Sequence, residues 1–148
     1  MDVRWATGPG DVAGAVIVRE QVFCTEQGVS KVEELDGLDD QALHLVALEP
    51  DSGRVIGTLR LLVVGREAKI GRVAVERRWR RRGIAARMLQ MALAGARERG
   101  CRRARLASQL HATRLYEDAG FAVESEPFQE AGIPHVWMGR RLEASSDG

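Results

Sequence analysis

The chain is poor in most of the residues and patterns that would direct it to a particular compartment or chemistry. Its two cysteines, Cys24 and Cys101, are too few for a disulfide framework. With three scattered histidines they give no zinc-site spacing, so no metal is expected. Apolar runs are short. Residues 56–64, interrupted by Gly57, Thr58 and Arg60, fall far below the ~20 residues of a membrane helix. The N-terminus lacks the basic-then-apolar layout of a secretory leader. Charge of one sign is lacking too: 22 basic residues face 21 acidic ones, a net charge of +1. That balance argues against a disordered chain and against a surface built wholly for nucleic acid. Arg97, Arg99, Arg102, Arg103 and Arg105 have no interleaved aromatics of the kind that stack single-stranded bases. A cytoplasmic protein with neither a membrane nor a nucleic-acid partner is expected.

What is present suits one domain. The chain has 148 residues, 45% of them hydrophobic, enough for a real core. A strand is expected over 3–6, then a helix over 12–24 with Asp11 as its cap. Acids accumulate over 25–40, which reads as loop with at most a short helix. Strands follow over 43–48, 55–64 and 68–75, the first two joined by a turn at Pro50 to Gly53. Ala85, Met88, Leu89, Ala92, Leu93 and Ala96 make one apolar helical face, closed by Gly100. A strand over 103–107, a short helix over 112–119 and strands over 121–124 and 135–142 complete a mixed α/β domain over 1–142. Residues 143–148 read as a polar, disordered tail.

Only Lys31 and Lys69 among the basic residues are lysine, and the arginines are unevenly placed. Between Arg72 and Arg87 seven arginines face one glutamate, a local excess of +6. This stretch leads into the 85–96 helix through Gly83. A helix start offers unpaired N–H groups and partial positive charge, and a glycine lets an anion approach the backbone. The loop lacks the Gly-Lys-Ser/Thr of a nucleotide hydrolase and has one glycine of a dinucleotide fingerprint.

Arg80-x-x-Gly83-x-Ala85 resembles the acetyl-CoA motif of the GNAT N-acetyltransferases. Residues 70–75 look like that family's fourth strand, and Leu115-Tyr116-x-x-x-Gly120-Phe121 like its late helix element. Val22-Phe23-x-x-Glu26-Gln27, Glu34-x-Asp36-Gly37, Gln109-x-His111 and Gly132-Ile133-Pro134-His135 resemble the ElaA/YjcF-like subgroup. The resemblance implies a GNAT fold: a mostly antiparallel sheet of six to seven strands with helices on both faces. It implies acetyl-CoA as cosubstrate and transfer to a small-molecule or peptide amine by direct attack in a ternary complex. The alternative is an acyl-CoA-binding sensor without turnover. Either reading suits a monomer or a homodimer.

The resemblance also implies site residues. Amides of the loop from Arg81 to Ala86 would hold the pyrophosphate, with Arg80, Arg81, Arg82, Gly83, Ile84 and Ala85 counted as cofactor-binding residues. The strand edge at Val73 and Val75 would pair with the pantetheine arm, made accessible by a bulge over 72–74 that parts this strand from the next. The family's usual asparagine before the late helix is missing, since the chain has no Asn. Gln109 or Ser108 stands in its place. A glycine often occupies the position of Arg81, so ordinary torsions are expected there. Tyr116, the single tyrosine, is expected to protonate the departing thiolate. The base is left among Glu26, Glu33, Glu34, Asp36, His111 and His135, with Glu34 and His111 favoured. His111 is expected on the same helix as Tyr116, and the acidic loop to attract a cationic acceptor. Cys24 reads as packing rather than as an acetyl carrier.

Overall fold

A computed structural model describes residues 1–143. The tail expected from residue 143 lies, apart from Glu143, outside them. Eight strands form one sheet: β1 (Asp2–Trp5), β2 (Leu43–Leu48), β3 (Val55–Val64), β4 (Glu67–Val75), β5 (Arg103–Gln109), β6 (Ala122–Val123), β7 (Phe128–Glu130) and β8 (Ile133–Arg141). Their order is β1-β2-β3-β4-β5-β8-β6, and β7 also pairs with β8. Every pairing is antiparallel except β4 with β5. The helices are α1 (Pro9–Arg19), α2 (Lys31–Glu34), α3 (Ile84–Glu98) and α4 (Thr113–Asp118). No helix of the described residues is long and apolar enough to cross a membrane.

Strand alternation distributes the core. Leu59 and Leu61 of β3 pack with Met88, Leu89 and Leu93 of α3. Arg60, between them, points to the opposite face, where it meets Asp36 and Asp39. On that face Val18 and Val22 pack against Ala74. Met88, Leu89 and Leu93 are fully buried, and truncating any of them to alanine costs about 2–5 kcal/mol. Gly95 of α3 is required by a close approach: a β-carbon there would stand 2.5 Å from the Trp5 ring.

Three differences from the sequence reading have local causes. First, α1 begins at Pro9, whose fixed φ suits a first helical turn, and Asp11 lies inside that turn, accepting from the Thr7 amide. Second, α-type bonding stops at Arg19 and a π-helical segment, Glu20–Glu26, carries the chain onward. Its wide turns keep Val22 and Phe23 against β4, a feature that apolar spacing cannot distinguish from an α-helix. Third, β7 makes an eighth strand. Glu130 pairs with Ile133 across a two-residue turn, Ala131-Gly132, both at positive φ as a tight hairpin needs.

Candidate active site

β4 and β5 pair only from Glu67–Arg103 to Ile70–Leu106; beyond that point they no longer pair with each other, each staying paired on its other side. The cause lies in β4. Thr58 pairs with Ala74 and Arg60 with Gly71, so Arg72 and Val73 together face Leu59. This is the expected bulge, and Arg72 adopts φ 52 within it. The parted strands open a cleft of about 920 Å³. It runs from the start of α3 to the acidic loop, and it takes in Val73, Val75, Arg80, Arg81, Gly83, Ile84, Ala85, Gln109, His111, Tyr116 and Glu34. Arg82 does not line it; its guanidinium stacks 4.8 Å from the centre of the Trp79 ring. Gln109 faces the cleft, whereas Ser108 is buried and donates to the Gln109 carbonyl oxygen.

At one end the backbone dominates. α3 starts at Gly83, left-handed at φ 77, and no side chain caps its first turn. The free N–H groups of that turn therefore face the cleft without protein partners. A β-carbon at Gly83 would meet nothing within 4 Å, so an anion can approach closely. Arg81 corrects an expectation: its φ is 63, left-handed and costly for a residue with a β-carbon. Arg80 acts as a brace. It donates to the Val75 carbonyl oxygen at 2.9 Å and pairs with Glu26 at 2.8 Å, tying the loop to the π-helical segment. From the same segment's end, Gln27 exchanges amide hydrogen bonds with Gln109 across the cleft.

At the other end side chains dominate. Arg19, fully buried, donates to Glu34 and Asp39; Arg60 to Asp36 and Asp39; Arg72 to the Glu34 carbonyl and to Asp36. Three guanidiniums thus neutralise three carboxylates. Arg60 holds Asp36 well below the usual carboxylate range. Asp39 is also lowered: burial, the largest single influence, raises it, but Arg19 and Arg60 together outweigh burial. The expected acidic rim is therefore largely neutralised by ion pairs, which sequence spacing does not reveal because the arginines come from α1, β3 and β4. Glu34 is committed to this network.

Tyr116 on α4 is buried, and burial pushes its phenol up to about 12. It keeps its proton at neutral pH and can give it only to a stronger base. His111 does not share this helix. It lies in the preceding 3-10 turn, Leu110–Ala112, exposed at the rim of the cleft. His135 is better oriented. Its Nδ1 lies 2.6 Å from the Ile133 carbonyl oxygen, which can only accept. In the neutral ring that bond places the proton on Nδ1 and leaves the Nε2 lone pair as acceptor; in the protonated ring Nε2 pairs with Glu130 at 3.6 Å. Cys24 lies outside the cleft lining, and burial with Glu34 nearby pushes its thiol up, away from nucleophilic form. Among the described residues no cluster of His, Cys, Asp and Glu is placed to hold a metal ion.

A family model for the acetyltransferase (GNAT) domain matches residues 15–142. The chain belongs to the GNAT acetyltransferase family. Among its relatives is the uncharacterized N-acetyltransferase YjcF of Bacillus subtilis, 32% identical over 84% of this chain and 88% of that one. A candidate N-acetyltransferase of Lactobacillus plantarum is 32% identical, with a TM-score of 0.87 over 96% of this chain and 98% of that one. Escherichia coli ElaA, at 19% identity, shares the GNAT fold with a TM-score of 0.81 over 95% and 99% of the two chains. A more distant fold neighbour, 13% identical with a TM-score of 0.76 over 99% and 100%, is an aminoglycoside 6'-N-acetyltransferase complexed with coenzyme A. ElaA and YjcF are the two proteins to which the short motifs pointed.

Proposed function

We propose that this GNAT protein is an acetyl-CoA-dependent N-acetyltransferase acting on a primary amine by direct attack. The observation that carries the reading is continuity. One cleft joins an uncapped helix start, an unpaired strand edge and a buried, protonated tyrosine. The amides that open α3, with Arg81, hold the pyrophosphate. The free edge of β4 at Val73 and the Val75 amide pair with the pantetheine arm; the Val75 carbonyl is already taken by Arg80.

A lysine-like amine, pKa about 10.4, is protonated at neutral pH and must lose a proton before it attacks. His135 Nε2 accepts that proton, directly or through one water. The amine nitrogen then bonds to the thioester carbon, and the carbon–sulfur bond breaks. The Tyr116 hydroxyl donates a hydrogen bond to the departing thiolate, which takes a proton from solvent; the new amide nitrogen gives up its second proton to solvent, and His135 releases the first to water. General acid and base groups of this kind each contribute typically 10²–10⁴-fold. An amine panel with thiol-release detection tests the reading. Release of CoA that depends on an added amine supports it. Tight acetyl-CoA binding with no release from any amine would instead identify a sensor that binds without turnover.

A further inference from the structure

Beside the point where β4 and β5 part, Lys69 and Arg105 are register partners on adjacent strands. Both reach the same aromatic ring. Lys69 Nζ lies 5.6 Å and the Arg105 guanidinium 4.1 Å from the centre of Trp137. Two register pairs earlier, Arg103 is neutralised by Glu67 at 3.9 Å and by Glu124. Among the described residues, Lys69 and Arg105 have no carboxylate within ion-pair distance. Every other cation of the acceptor end (Arg19, Arg60 and Arg72) is already matched by acids. Lys69 lines the cleft, and its position has a further meaning. A ligand lying along the free edge of β4 must stop where β5 rejoins it, after Ile70, so its reactive end comes to rest next to Lys69.

We infer that the acceptor is an amine that also carries an oxyanion, a carboxylate or a phosphate, held by Lys69 with Arg105 behind it while the amine faces His135. This deepens the acetyltransferase reading and rests on it. Two cations placed close together on one ring, without a carboxylate partner, favour an anion in their vicinity. The acidic loop, by contrast, has most of its carboxylates paired, with Glu33 alone lining the cleft without an ion pair, and offers little field to attract a polycation. The acceptor class is therefore zwitterionic, resembling an amino acid or an amino phosphate rather than a polyamine.

The test compares matched amines: phenylalanine against phenethylamine, and phosphoethanolamine against ethanolamine, with spermidine as the polycation. The wild-type protein should prefer the anionic member of at least one pair by about 10- to 100-fold in kcat/KM, the weight of a charge-assisted hydrogen bond. Whichever pair shows the preference names the oxyanion. Lys69→Met, which keeps the apolar stem over Trp137, should collapse that ratio toward one without shifting the melting temperature. Preference for spermidine or the neutral amines, or a ratio unmoved by Lys69→Met, would overturn the inference and leave the acetyltransferase reading standing. If acetyl-CoA binds but no amine releases CoA, the transfer reading fails, and the anion site is judged by binding alone. Calorimetry of CoA-loaded protein with 3-phenylpropionate and with inorganic phosphate should show binding weakened about tenfold by Lys69→Met. No binding of either anion, or binding that the variant leaves unchanged, would overturn the inference.

Discussion

At the α3 end of the cleft the recognition elements belong to the backbone: the free amides after Gly83, the left-handed Arg81 and the open edge of β4. At the far end they are side chains drawn from α1, the acidic loop, β3, β4 and the β7–β8 hairpin, most of them occupied with one another. The first arrangement suits a ligand that is always the same, because amides and a strand edge recognise a diphosphate and an amide-bearing arm whatever is attached. The second suits a variable partner, since exchanging a few side chains changes what fits without moving the strands.

The largest effect is expected at Tyr116, where the two ends meet. Tyr116→Phe removes one hydroxyl and keeps the edge-on packing against Phe121. The turnover number should fall roughly 10²–10⁴-fold while acetyl-CoA affinity stays nearly constant. Steady-state kinetics beside a calorimetric titration check it; near-normal turnover would remove Tyr116 from the mechanism.

The ion network gives the next largest effect, this time on stability. Arg19→Met leaves the buried Glu34 with only Arg72, at 3.6 Å, and Asp39 with only Arg60, and should destabilise the fold by about 3 kcal/mol, read from the denaturant midpoint. The same network sets the acid limb of stability. Asp36 and Asp39 have folded pKa values below their unfolded ones. Their contribution is complete above about pH 5 and is lost as the pH falls through about 4 and below. Thermal melts between pH 7 and pH 3 should show a plateau followed by that fall, and Asp36→Asn should flatten it.

The smallest effect sharpens the backbone end. Arg81→Gly relieves a left-handed torsion and should raise stability by about 1 kcal/mol, some 2–4 °C in melting temperature. An unchanged or lower melting temperature would mean that the loop is held by something other than its torsions.

The same contrast explains what could be read from the sequence. Gly83 and the arginines before it, the apolar face of α3, and the turns at Gly53 and Gly100 are local signals, written within a few residues of where they act. The fold class and the α3 end of the cleft follow from them. The far end depends on pairings between distant residues: Arg19 with Glu34, Arg60 with Asp36, Lys69 with Arg105 across Trp137. No local spacing encodes these. The π-helical turn after Arg19 escaped for a related reason, since one extra residue per turn leaves the apolar pattern almost intact. The hairpin strand Phe128–Glu130 was legible only through Ala131-Gly132, a weak turn signal.

The proposed function stands on the start of α3 and the parted strands as a site for acetyl-CoA. Titration calorimetry of acetyl-CoA into the wild-type protein and Gly83→Glu tests it most directly. The new β-carbon meets no protein atom within 4 Å, and the left-handed torsion costs about 1–2 kcal/mol, so the variant should stay folded by circular dichroism. Its carboxylate, set against the pyrophosphate, should weaken binding by about 100-fold or more. Equal affinity in the two proteins would contradict the account.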